Sequence, residues 1–229
     1  MVGAGLRTPR AAAVAGILFA LLLIACLSLI TLSAPLDPTS AGTWLTDPSR
    51  RGAVATALNL VPFAGIAFLW FVGVMRDRIG DREDKFFATV FLGSGLLFVA
   101  MLFVAAAVGA GMIDTASLHH AGATSPSELA SAREITSILL RVYALRMAGV
   151  FTLSTAMILY RSGVAPRWIS LLGFAVGLVL LVTIGLSPWV SLIFPLWIGL
   201  ISVETLIRTF KAGSGDERLF SGPAGPEDR

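Results

Sequence analysis

The sequence predicts an all-α, polytopic membrane helix bundle with six transmembrane helices, and three observations carry that prediction. Apolar runs of about twenty residues recur along the chain, each long enough at about 1.5 Å per residue to cross about 30 Å of hydrocarbon. Hydrophobic residues make up 56% of the 229 positions and charged ones only 14%, with a mean hydropathy of +0.85, which no ordinary soluble domain of this length shows. The charges that remain collect between the runs. The clearest case is Arg76-Asp77-Arg78-Ile79-Gly80-Asp81-Arg82-Glu83-Asp84-Lys85, where eight of ten residues are charged. Each of those charges would cost about 2.5–3.5 kcal/mol at a bilayer centre, so the block is read as a loop in water.

The elements follow in order. A short polar start with Arg7 and Arg10 precedes an uncharged run over 11–33, read as the first span. A cleaved signal peptide would carry a shorter apolar core. Leu23-Ile24-Ala25-Cys26 has the look of a lipoprotein cleavage site, yet further apolar residues follow it where a polar mature start belongs. Cys26, the one cysteine, is read as a buried thiol and rules out an intramolecular disulfide.

Prolines, glycine and charges over 34–52 predict an external loop, with Trp44 as an interfacial anchor. The second span covers 53–75 and contains Asn59 and Pro62. The missing N–H of Pro62 predicts a kink there. The third span covers 86–110. A second external loop over 111–125 carries Asp114, His119 and His120, and Ser125-Pro126-Ser127-Glu128 then reads as a capping box opening a helix.

From Ser125 to Tyr160 nothing stops that helix, so it outruns the membrane and only 136–160 is read as the fourth span. Gly163 and Pro166 mark a short turn. Residues 168–186 and 188–207 form the fifth and sixth spans, divided at Leu186-Ser187-Pro188, and 208–229 reads as a disordered cytoplasmic tail.

With the charged loop inside, the cytoplasmic side holds Arg7, Arg10, Arg76, Arg78, Arg82, Lys85, Arg161, Arg167, Arg208, Lys211, Arg218 and Arg229. The outside holds Arg50, Arg51 and Arg133. That asymmetry predicts both termini in the cytoplasm. Fifteen arginines against two lysines, with abundant Ala and Gly, is usage associated with GC-rich bacterial genomes and points to a bacterial inner (plasma) membrane. The basic residues cap apolar runs and form no stripe, so a nucleic-acid partner is not expected.

Chemistry is sought first on the fourth span, because an ionisable group inside a membrane is costly enough to be a functional candidate. Arg141 falls close to the outer interface and Arg146 about 12 Å in, with Asn59 of the second span its nearest partner by depth at about 9 Å. Glu134, Ser137, Arg141, Ala148, Thr152 and Thr155 recur at helical spacing as one polar or small stripe, with Arg146 about 140° around from Arg141. Arg146 would lock helix packing through Asn59, a Ser or Thr, or a carbonyl freed by Pro62, line a cationic cleft for an anionic solute or lipid headgroup, or snorkel outward without a further role.

Glu204 and Arg208 have the favourable order of an i,i+4 pair. Gly173-x-x-x-Gly177 permits close helix packing within the chain or between chains. Adjacent His119 and His120 point apart and find no fourth ligand, so no metal and no cofactor is expected. Hydrolase, nucleotide and zinc signatures are missing from the sequence.

Gly73, Asp77, Arg78, Gly80 and Arg82 resemble the G-x-x-x-D-R-x-G-R-R motif between helices two and three of major facilitator transporters, with Asp81 in place of a basic residue. The resemblance implies a cytoplasmic loop and, by family, solute transport, although those transporters have about twice this number of helices. Residues 68–105 are similar to segments of uncharacterised multi-pass membrane proteins of actinobacteria, which implies architecture and no activity. The expected function is a non-enzymatic integral membrane scaffold or accessory subunit. The alternative is a small transporter or lipid- or anion-binding protein using Arg141, Arg146 and Asn59 in the outer leaflet. Arg76, Asp77, Arg78, Arg82, Glu204 and Arg208 are assigned structural and topological roles. Membrane lipids and a protein partner or second copy are the expected partners.

Overall fold

The computed structural model describes residues 7–34, 45, 47–79, 85–118, 126–163, 165–182 and 188–220. These form helices α1 (Arg7–Ser33), α2 (Pro48–Ile79), α3 (Lys85–Leu118), α4 (Pro126–Ile138), α5 (Leu145–Ser162), α6 (Arg167–Val182) and α7 (Ile193–Phe220). A π-helical segment, Leu139–Ala144, joins α4 to α5, and a 3-10 turn, Pro188–Leu192, leads into α7. Ile138 and Leu145 both keep right-handed helical dihedrals, so α4, the π segment and α5 make one unbroken rod. Six rods result, and no strand occurs among the described residues. Five stretches are long and apolar enough to cross a membrane: Arg10–Ser33, Pro48–Arg76, Phe86–Thr115, Ser127–Ser162 and Trp189–Phe210. Helix α6 is apolar as well, but its 16 residues reach only about 24 Å.

Successive rods run antiparallel. Helix α1 lies between α2 and α7, α3 between α2 and the α4–α5 rod, and α6 lies against α5. The thiol of Cys26 donates to the Ala57 carbonyl at 3.3 Å, and Gly16 and Gly199 of α1 and α7 bring those backbones close to Ser202 and Ala20. At the centre the rings of Phe19, Phe68, Phe98, Phe151 and Phe194, one from each rod except α6, pack edge to face and tilted at 4.7–6.3 Å. Ring packing of this kind contributes dispersion contacts that hold the rods together.

The basic ends gather at one end of the bundle. The Arg10 guanidinium lies 5.1 Å over the ring of Phe210, joining the start of α1 to the end of α7. Arg161 lies 5.0 Å over Phe87, joining the end of α5 to the start of α3. At the opposite end Leu45, Val54 and Ile113 form a separate small core with Leu58 and Leu129.

Element boundaries depart from the sequence reading in four places, the first being α3, which continues to Leu118 through the start of the loop expected over 111–125. Helix α2 begins at Pro48, five residues before the expected span. Asp47 caps it: its Oδ1 accepts from the Ser49 amide at 2.9 Å and the Ser49 hydroxyl at 2.7 Å, and Arg50 pairs with Oδ2 at 3.5 Å. Those hydrogen bonds hold the Asp47 carboxyl below the ordinary carboxylate range.

The charged block is shorter as a loop than expected. Helix α2 runs through Ile79 and Lys85 opens α3, leaving 80–84 outside the described residues. A final helical turn can stand in water as well as a loop can, so charge alone did not mark the helix end. Helix α7 continues past Arg208 to Phe220, where a disordered tail was expected. Gly213 and Gly215 weaken a helix without ending it, and the next proline is Pro223.

At the start of the α4–α5 rod and at the end of α5 the reading and the structure agree. The α4–α5 rod starts at Pro126. Helix α5 ends on Gly163, which takes φ 65° and donates its N–H to the Leu159 carbonyl at 3.2 Å, as a left-handed glycine cap does. At Pro62, where a kink was expected, α2 continues as one helix from Pro48 to Ile79. Trp44, His119, His120, Ser125, Leu186 and Ser187 lie outside the described residues.

Candidate anion site on the fourth rod

The deep half of the α4–α5 rod is fixed by small residues. Gly149 of α5 and Gly177 of α6 face each other so closely that a Cβ on either would come within 3.1 Å of the other's carbonyl oxygen. Gly173 sits against Trp197 of α7 and Ala156 of α5, and the Trp197 indole N–H donates to the Ile169 carbonyl at 3.4 Å. The Gly173-x-x-x-Gly177 pair is thus used inside the chain, by α5 and α7. Gly149 is the partner that sequence reasoning missed, and its signal was there: Gly149 and Ala156 recur two turns apart on one face. Ala148, Thr152 and Thr155 are buried as the stripe predicted. Thr152 and Thr155 satisfy their hydroxyls on the Ala148 and Phe151 carbonyls, both at 2.7 Å.

The shallow half behaves differently, and the π segment is the reason. In an i→i+5 ladder each residue turns by roughly 80° against about 100° in an α-helix. Across Leu139–Ala144 the stripe loses its phase, so Glu134, expected to face other helices, is exposed. The same change narrows the angle between Arg141 and Arg146 from about 140° to about 80°. It also brings Arg141 to about 20° from the direction of Gly149, where α-helical spacing would have left it about 80° away. Counted on ideal helical geometry, both arginines fall on the side of the rod that α6 covers one turn deeper.

Among the described residues α6 does not reach them. Its end is level with Gly149, where a Cβ would meet Leu181 at 3.0 Å and Leu180 at 3.3 Å, and the helix stops at Val182. Arg146 is one turn farther out and Arg141 more than another. Both side chains are half-buried. Among the described residues neither makes a hydrogen bond or an ion pair, although each guanidinium presents five N–H donors.

Asn59 is not brought to them. Gly109 of α3 stands against Leu58 and Thr136, which puts those three at one level. Counted from there at about 1.5 Å per residue, Asn59 is about 1.5 Å in, Arg141 about 7 Å and Arg146 about 15 Å. The expected depth match failed because α2 and the α4–α5 rod extend unequally beyond the ends assumed for them. Asn59 is exposed and without a hydrogen bond among the described residues.

Of the remaining candidates, Arg208 Nε donates to Glu204 Oε1 at 2.8 Å, as their spacing predicted. Arg76 is exposed in the last turns of α2, Asp77 and Arg78 belong to the same turns, and Arg82 lies outside the described residues. Asp114 is an exposed residue of α3. Among the described residues no three His, Cys, Asp or Glu side chains gather as a metal ion would require. No family model matches the chain, and neither a curated protein nor a solved structure matches it.

Proposed function

We propose that the chain is a non-enzymatic integral membrane protein of six membrane-embedded helices that binds an anionic ligand through Arg141 and Arg146 in the outer leaflet. Both termini face the cytoplasm of a bacterial cell, and α6 is the sixth, shortest span. The topology is supported by the gathering of Arg10, Arg161 and their aromatic partners at one end of the bundle, together with the excess of basic residues on that side.

The observation that carries the binding reading is the pair of half-buried arginines that make no hydrogen bond or ion pair among the described residues, in a rod that is otherwise apolar at that depth. A guanidinium there is too costly to leave bare, so an anion or a headgroup completes it. Asn59 has no part in the site on this reading.

The test is native mass measurement of protein purified in mild detergent. Wild-type protein is expected to carry an acidic ligand that Arg141→Gln/Arg146→Gln protein lacks. Identical adducts on both would end the proposal.

A further inference from the structure

We infer that the group held by Arg141 and Arg146 is a phosphate, either the diester of a phospholipid or a free phosphate. The inference rests on the anion-binding reading above and gives it a chemical class. On helical rise and radius the two Cα atoms are about 8 Å apart, with side chains diverging by about 80°. Two arginine side chains of ordinary length, directed to the same side of one rod, can converge on one tetrahedral group from that separation.

The guanidinium fork matches phosphate oxygens bidentately, and two forks engage more oxygens than a planar carboxylate has to offer. The depth suits the same group. Arg141 is close to the level where headgroup phosphates lie, and Arg146, about 7 Å deeper, reaches it by extending outward along the rod. Tyr143, between them on the π segment, is 53% exposed, as an interfacial aromatic is. Glu134, the next acidic residue outward on the rod, is exposed and makes no ion pair among the described residues, so it does not neutralise the two charges. Among the described residues α6 reaches only Val182, level with Gly149 and about one turn short of Arg146.

The experiment is calorimetric titration of the full chain in a zwitterionic detergent with three probes: a short-chain phosphatidylglycerol, inorganic phosphate, and dodecanoate as a carboxylate amphiphile. The wild-type chain is expected to bind the lipid or inorganic phosphate at one site. Affinity falls roughly tenfold or more in Arg141→Gln/Arg146→Gln, and by less in Arg141→Lys/Arg146→Lys, which keeps charge and loses the fork. The lysine pair also guards against misfolding of the glutamine pair. Binding of phosphatidylglycerol alone assigns the phosphate to a lipid, and binding of inorganic phosphate assigns it to a solute. Dodecanoate binding as tightly as the phosphate probes, with the same arginine dependence, overturns the phosphate class while leaving the anion site standing. No arginine-dependent binding of any probe overturns both.

Discussion

Gly177→Ala places a methyl group where the α5–α6 interface has no room. The new Cβ would come within 2.7 Å of the Leu153 Cγ and Cδ2 atoms and 3.1 Å of the Gly149 carbonyl oxygen. Leu153 can yield by changing rotamer, but a backbone oxygen moves only if the whole of α5 moves. Overpacking of this kind costs about 1–3 kcal/mol, offset by about 1 kcal/mol because alanine is the better helix former. Gly177→Ala and Gly149→Ala should each lose up to about 2 kcal/mol.

Gly93→Ala and Gly111→Ala provide the contrast, since a Cβ at either meets nothing within 4 Å. They should be neutral or gain up to about 1 kcal/mol. A difference of that size moves a melting temperature by about 2–4 °C per kcal/mol in a chain of this length. The protein supplies its own reporter, because Cys26 is the one cysteine and is buried. Heating with a thiol-reactive fluorophore in detergent therefore reads unfolding directly. If Gly177→Ala and Gly149→Ala melt at or above Gly93→Ala, the close approach of α5 and α6 is wrong.

Two further outcomes follow from packing and capping. Phe151→Ala removes a fully buried ring stacked at 4.8 Å on Phe91 and packed against Phe68 and Phe194, and should cost about 3 kcal/mol or more, read by the same thermal assay. Asp47→Ala removes the α2 cap and should lower the melting temperature at neutral pH. The folded carboxyl titrates below its ordinary 3.8, so its contribution is complete above that value and is lost as pH falls through the folded value. Wild type and Asp47→Ala should therefore converge only below pH 3.8, and a gap that closes near pH 6 would contradict the assignment.

Local chemistry made much of the bundle legible in advance. Pro126 after Ser125 opened a helix, Gly163 ended one, and Glu204 with Arg208 formed the pair their spacing required, because each of these depends on residues within one turn. The π segment left no such mark. Leu139–Ala144 is an ordinary helical sequence with no proline or glycine to mark its wider turns. Its consequence is large, since it turns Arg141 toward Arg146 and removes Glu134 from the stripe. The mismatch of Asn59 with Arg146 has a related origin. Depth was counted from assumed helix ends, whereas the register between rods is set by contacts such as Gly109 against Leu58. The shortness of α6 was hidden as well, because the apolar run continues past Val182 after the helix has ended.

The central claim is that Arg141 and Arg146 occupy the outer leaflet, at different depths, on a side of the rod that α6 leaves uncovered. Cysteine labelling in intact cells tests it most directly, with Cys26→Ala as background and a membrane-impermeant thiol reagent. Arg141→Cys should label from outside and Arg146→Cys more slowly, while Arg161→Cys should label only after the membrane is opened. Labelling of Arg161→Cys from outside, with Arg141→Cys protected, would contradict the account.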